Sequence, residues 1–250
     1  MSNNKKYILE IATSDFQTTS SAISGGADRI ELCANLAEGG TTPSYGLMLK
    51  CRQHFSTALY PIIRPRGGDF LYSNEEFEIM IEDVKRFRDA GCDGIVTGLL
   101  LADGNIDITR TKLLVELAYP LGVTFHRAFD RCRDPFLAID ELIDAGCERI
   151  LTSGQQPSVM DGIELVKKLN EVAAERIIIM PGSGVRAENI SLLRDQTGCI
   201  EFHSSLRSKK SSNMKFIHPA FKDSSESYLN NAVEPDEVRE LKRQLAQAGS

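Results

Sequence analysis

Eight short apolar runs recur along the 250-residue chain, and most close in a cluster of polar or charged residues. In order, the closing clusters are EIATSD, ELCANLAEGG, IIRPRGGDF, IVTGLL, VTFHRAFD, ILTSG, IIIMPGSG and EFHSS. Amphipathic segments separate them. NEEFEIMIEDVKRFRDAG and DPFLAIDELIDAG, for example, carry apolar residues at helical spacing and stop at a glycine. Apolar strands alternating with helices describe a parallel sheet covered by helices. Eight such units predict an α/β fold, a single-domain TIM (β/α)₈ barrel over 1–250, whose polar strand ends meet on one rim. Strands are expected at about 7–12, 28–34, 59–66, 92–98, 123–129, 147–153, 176–181 and 199–205.

Local signals agree with this register. Ser73 followed by Glu76 reads as a capping box, and Asp134-Pro135 as a cap with proline in the first turn. A weak repeat, GADRIEL from Gly26, GCDGIVT from Gly91, GCERILT from Gly146 and GCIEFHS from Gly198, marks the start of each even-numbered strand. Past the eighth strand the rhythm breaks. Residues 206–233 form a Ser/Lys/Asn-rich connection, read as a partly ordered lid whose LRSKKSSNMKF segment brings cationic side chains to the rim. EPDEVRELKRQLAQ then supplies a last helix.

Strand parity selects the chemistry. Bulky apolar residues must face the helices, so Leu9, Ile11, Ile30, Leu32, Ile63, Phe125 and Phe202 point outward. Their neighbours then point inward: Glu10 and Ala12, Glu31 and Cys33, Arg64 and Arg66, His126, and Glu201 with His203. Barrels are usually filled with Val, Ile and Leu, so charge at these positions marks a site on the C-terminal rim.

Three loops add to it. In PGSGV the residues Gly182, Ser183 and Gly184 leave backbone N–H groups open to an anion, ahead of a helix starting at RAEN. Arg207 from the long connection adds charge to that position. In IIRPRGGDF, Arg64 and Arg66 project to one face and the glycine pair turns Asp69 back towards them, with Arg127 as a further anion ligand. In VTFHRAFD, His126 and Asp130 are expected as base and orienter. Glu10, Glu31, Glu201 and His203 complete the candidate acid–base set.

Composition narrows the function. A net charge of −6 leaves no electrostatic footprint for nucleic acid. No apolar stretch approaches the 18 or more residues of a membrane span, and MSNNKKYILEIATSD lacks the features of a leader. Six cysteines are expected as thiols, which points to the cytoplasm. Cys92, Cys147 and Cys199 recur at the strand bases and read as small buried hydrophobes. Cys33 and Cys132 lie at the other end, where a thiol reagent is expected to reach them first.

GGADRIELC, EGGTTPS, IRPRGGDFLYS, VTFHRAFD, LTSG, MPGSGV and EFHSS together closely resemble the CutC family of copper homeostasis proteins, from about residue 7 to 218. The resemblance implies a cytoplasmic TIM barrel, a homo-oligomer (dimer or tetramer), and a role in handling copper. Some members pair the cysteine of the ELC motif with one on the first strand as a two-thiolate Cu(I) site. Cys33 matches the former, but the latter position holds Ala12. Two functions therefore stand side by side: Cu(I) binding through Cys33, and an enzyme acting on a small anionic or phosphorylated metabolite.

Overall fold

The computed structural model describes residues 7–221 and 228–247. The expectations for residues 1–6, 222–227 and 248–250, which include the start of MSNNKKYILEIATSD and part of the long connection, lie outside the described residues.

Eight parallel strands form two four-stranded arcs, ordered β3-β2-β1-β8 and β4-β5-β6-β7. They are β1 (Ile8–Thr13), β2 (Arg29–Leu32), β3 (Ala58–Pro61), β4 (Gly94–Thr97), β5 (Gly122–Phe125), β6 (Arg149–Thr152), β7 (Ile178–Pro181) and β8 (Glu201–Ser204). The arcs join where Ile62 bridges Val96 and Ile63 N–H donates to Val96 O at 2.7 Å. On the other side β7 runs alongside β8, which completes the ring. The ladders are shorter than the apolar runs suggested. Each strand pairs for four to six residues and the polar ends then splay into loops.

Helices wrap the ring: α1 (Phe16–Ser24), α2 (Tyr45–His54), α3 (Asn74–Asp89), α4 (Ile108–Ala118), α5 (Pro135–Ala145), α6 (Ile163–Ala173) and α7 (Ile190–Thr197). Ser73 and Glu76 form the capping box of α3, and the Asp134 carboxylate caps α5. The glycines of the repeat, at 26, 91, 146 and 198, all have φ between 70° and 99°. The repeat thus records the left-handed residue that turns each helix back into an even-numbered strand.

Parity is observed as expected. Leu9, Ile11, Ile30, Leu32, Ile63, Phe125 and Phe202 are buried between strands and helices. Inside the barrel a smaller cluster holds Ala12, Cys33, Leu36, Tyr60, Ile62 and Val96. Each fully buried Leu, Ile or Phe contributes about 1.5–3 kcal/mol, so the outer shell holds the register against a one-residue slip.

The end of the chain differs from the expectation. The long connection pairs β9 (Ser208–Ser211) with β10 (Leu229–Ala232) as an antiparallel ribbon before α8 (Pro235–Ala246). Asn231 donates to Ser14 Oγ, tying the ribbon to the loop between β1 and α1. Of the cationic residues in LRSKKSSNMKF, Arg207 lines the rim cavity, whereas Lys209 faces Asn231 across the ribbon. The helix after PGSGV also begins later, at Ile190, after a turn closed by Arg186 and Asn189.

Candidate functional site

A cavity of about 340 Å³ opens at the C-terminal ends of the strands. Glu31, Arg64, His126, Arg127, Ser183, Gly184, His203 and Arg207 line it, as the sequence suggested. Five arginines (64, 127, 131, 186 and 207) face it against two glutamates, Glu31 and Glu38.

One wall is built on β1, β2 and β8. Register places Glu10 beside His203 and Ala12 beside Glu31. His203 Nδ1 sits 2.7 Å from Glu10 Oε1, and its Nε2 is 3.9 Å from Glu31 Oε2. Burial pushes the Glu10 carboxyl up, but Arg29 and His203 overcome it and hold it well below the usual range. Glu31 has no such arginine partner. Burial, with the Glu10 charge added, raises it despite the opposing charge of His203. Burial would lower His203, yet the two glutamates raise it. The wall therefore holds a fixed anion, a cation-prone imidazole and a carboxyl that protonates readily.

His126 stands on the opposite wall and differs in kind. Ala128 N–H donates to its Nδ1 at 3.1 Å, so the proton of the neutral ring lies on Nε2. That Nε2 is buried and has no hydrogen-bond partner. Burial, then the charges of Arg64 and Arg127, lower its pKa to about 3, which keeps the ring neutral at pH 7. Gly98 makes room for it, since a Cβ there would lie 2.4 Å from Nδ1. Phe70 covers the ring at a centroid distance of 4.9 Å.

Other expectations are redistributed. Asp130 does not orient His126. The turn Phe129–Arg131 directs it to β6, where it accepts from Thr152 Oγ1 at 2.6 Å, Ser153 N at 2.9 Å and Arg127 Nε at 2.7 Å. It thereby fixes Arg127. Arg66 and Asp69 pair with each other outside the cavity, and Arg66 also holds Glu76, because the last ladder contact of this strand is at Ile63 and parity lapses beyond Arg64. Arg64 is buried and spends its guanidinium on the carbonyls of Glu38, Gly40 and Gly68, bracing two rim loops. Gly182 packs against Leu151 and His203, and its N–H donates to Thr152 O. Ser183 and Gly184, both with φ near 80°, carry the loop's exposure to the cavity.

Glu201 lies deeper, in a network that sequence reasoning missed. Arg29 bridges Glu10 and Glu201, and Arg149 Nε donates to Glu201 Oε2 at 2.7 Å. Arg149 also reaches Thr124 Oγ1 at 3.1 Å and Glu148 Oε2 at 3.0 Å. The Tyr60 ring lies 5.0 and 5.5 Å from the two guanidinium carbons. The signal was present, since the parity that turns Glu31 inward also turns Arg29 inward, and Ile150 outward puts Arg149 inside. Arg131 and Arg186 sit on loops, where parity has no hold.

Cys33 lies under Glu31, with Sγ 3.4 Å from Glu31 Oε2, and is fully buried. Burial, then the Glu31 charge, pushes its thiol well above the ordinary value. Cys132 is also buried, its thiol raised to about 12, so the expected ease of labelling at these two positions has no basis in exposure. Cys92, Cys147 and Cys199 are buried as expected, each pushed up to about 12. Among the described residues no three His, Cys, Asp or Glu side chains gather as a metal site.

Fold and site together define a TIM-type α/β barrel with a cationic cavity on its C-terminal rim. The CutC family model matches residues 7–208, and the chain belongs to that family. A family protein CutC from Chromobacterium violaceum is 46% identical over 244 residues, 96% of this chain and 99% of its own length. One from Vibrio vulnificus is 49% identical over 213 residues, 84% and 85% of the two chains. The solved Streptococcus agalactiae CutC, named for copper homeostasis, superposes with a TM-score of 0.77 at 34% identity, covering 80% of this chain and 98% of that one. N-(5'-phosphoribosyl)anthranilate isomerase from Pyrococcus furiosus shares the fold alone, with a TM-score of 0.57 at 12% identity over 96% of this chain and 98% of its own. No helix among the described residues is long and apolar enough to cross a membrane.

Proposed function

We propose that this CutC-family chain is an enzyme acting on a small anionic metabolite in the rim cavity. The observation that carries it is the buried, unpartnered His126 Nε2 in a cavity faced by five arginines. A buried donor left without a partner costs roughly 1–3 kcal/mol, a penalty that a bound oxyanion removes. Arg186, Arg207 and the Ser183-Gly184 backbone would hold the charged end of the ligand, a position where barrels often bind phosphate. Glu31 and His203 would move protons, and Glu10 would keep His203 cationic. The six free thiols suit a cytoplasmic location, and a homo-oligomer belongs to the same reading.

A second reading, Cu(I) handling through Cys33, draws on the name of the Streptococcus relative and on the carboxylate and imidazole near that thiol. A lone buried thiol opposite Ala12 is a poor match for a soft cation that favours thiolate pairs. One set of titrations separates the readings. Phosphate, against chloride at matched ionic strength, is expected to raise Tm with the logarithm of its concentration, and Cu(I) competition with a chelator to show only weak binding. Equal stabilisation by both anions, with tight Cu(I) binding abolished in Cys33→Ser, would reverse the order.

A further inference from the structure

The unpartnered imidazole and the acid–base wall face each other. In the ring β5, which carries His126 at its end, stands opposite β1, and β1 is flanked by β2 with Glu31 and β8 with His203. A ligand between them would have the His126 ring on one side and the Glu31 carboxyl on the other. Its charged end would meet Arg186, Arg207 and the Ser183-Gly184 backbone, at the ends of β7 and β8.

The same lining narrows the chemistry. Among the described residues no lysine lines the cavity, so these supply no amine for a Schiff base. Of the three serines that line it, Ser183 and Ser204 commit their hydroxyls to the carbonyls of Pro157 and Val185, and Ser205 stands at the end of β8 beside Arg207 with the charged end of the ligand. Cys33 is sealed beneath Glu31. Across the cavity from each other stand a proton acceptor and an imidazole donor, in a space at the small end of metabolite sites.

We infer that the site transfers a proton at the hydroxyl-bearing carbon next to the carbonyl of a small phosphorylated α-hydroxy carbonyl compound, with Glu31 as the base and His126 Nε2–H as the donor to the carbonyl oxygen. This rests on the anion-binding reading above. The Glu31 carboxylate takes the α-proton, and the C–H electron pair becomes the C=C bond of an enediolate. The C=O π pair moves to oxygen, where the His126 N–H stabilises the developing charge. The proton of the α-hydroxyl passes to the adjacent former carbonyl oxygen, Glu31 returns its proton to the former carbonyl carbon, and the α-oxygen closes to C=O as the C=C bond is lost, giving an isomer with no oxidant or co-reactant. A neutral imidazole suits this task because it stabilises the oxyanion without carrying a proton acidic enough to be lost first.

The test compares two probes by calorimetry on the full chain: inorganic phosphate, and phosphoglycolohydroxamate, which joins a phosphate to an enediolate mimic. The hydroxamate is expected to bind at least about tenfold tighter than phosphate, as transition-state mimics do. Glu31→Gln and His126→Phe should each remove most of that advantage, whereas Arg66→Ala, outside the cavity, should leave both Kd values within about twofold. Should either variant fail to fold, proton NMR of the unaltered protein gives an independent readout. The His126 Nε2–H resonance should move downfield with the hydroxamate and not with phosphate. Phosphate binding without a hydroxamate advantage or a shifted resonance would overturn the inference and leave the anion reading standing. An advantage that survives in both variants would also overturn it. If neither probe binds, both fall.

Discussion

The barrel holds charge at two depths, and the two sets behave differently. In the lower layer every charge is answered: Arg29 spans Glu10 and Glu201, and Arg149 closes on Glu201, Glu148 and Thr124. In the rim cavity the balance is open, with an unpartnered imidazole N–H and more guanidinium than carboxylate. Inward charge is therefore not the mark of a site by itself. A closed network satisfies its own desolvation, whereas an open one leaves groups that only a ligand can satisfy.

The largest expected effect lies in the closed layer. Arg149→Met leaves Glu201 with weakened compensation, and Arg29→Met leaves Glu10 as well, so each should destabilise the fold by about 3–5 kcal/mol in denaturant titration. A loss under about 1 kcal/mol would mean that the lower layer is not a tightly coupled network, and the contrast would dissolve.

Next comes the acid limb of stability. His126 has a folded pKa of about 3 against an ordinary 6.5, so the unfolded chain takes up the proton first as pH falls. Its contribution is present above about pH 6.5 and is lost towards pH 3, at up to ~1.4 kcal/mol per pH unit. Replacing His126 by Phe should flatten the stability profile between those limits, measured by denaturation at each pH. An unchanged slope would show that the ring is not held neutral.

The smallest effects sharpen the border of the site. Arg207 lines the cavity, and Arg207→Ser should weaken phosphate by about tenfold in calorimetry, the loss of one charge-assisted hydrogen bond. Arg66 is partly exposed and pairs with Asp69 and Glu76, so Arg66→Ala should cost at most about 1 kcal/mol of stability and leave phosphate affinity alone. Equal losses of affinity in the two variants would bring IIRPRGGDF back into the site.

The amino-acid pattern determined the strand–helix alternation, the outward faces and the inward position of Glu10, Glu31, Glu201 and His203, because side chains alternate strictly along a paired strand. That rule stops where pairing stops. Arg66 drifted to Glu76, Asp130 turned to β6, and Arg131 and Arg186 reached the cavity from loops with no period to read. Tertiary structure alone decided which charges neutralise one another and which stay open. That outcome depends on distances between side chains far apart in sequence, such as Glu10 and His203 or Arg149 and Glu201, and on which ring nitrogen of His126 a backbone N–H happens to reach.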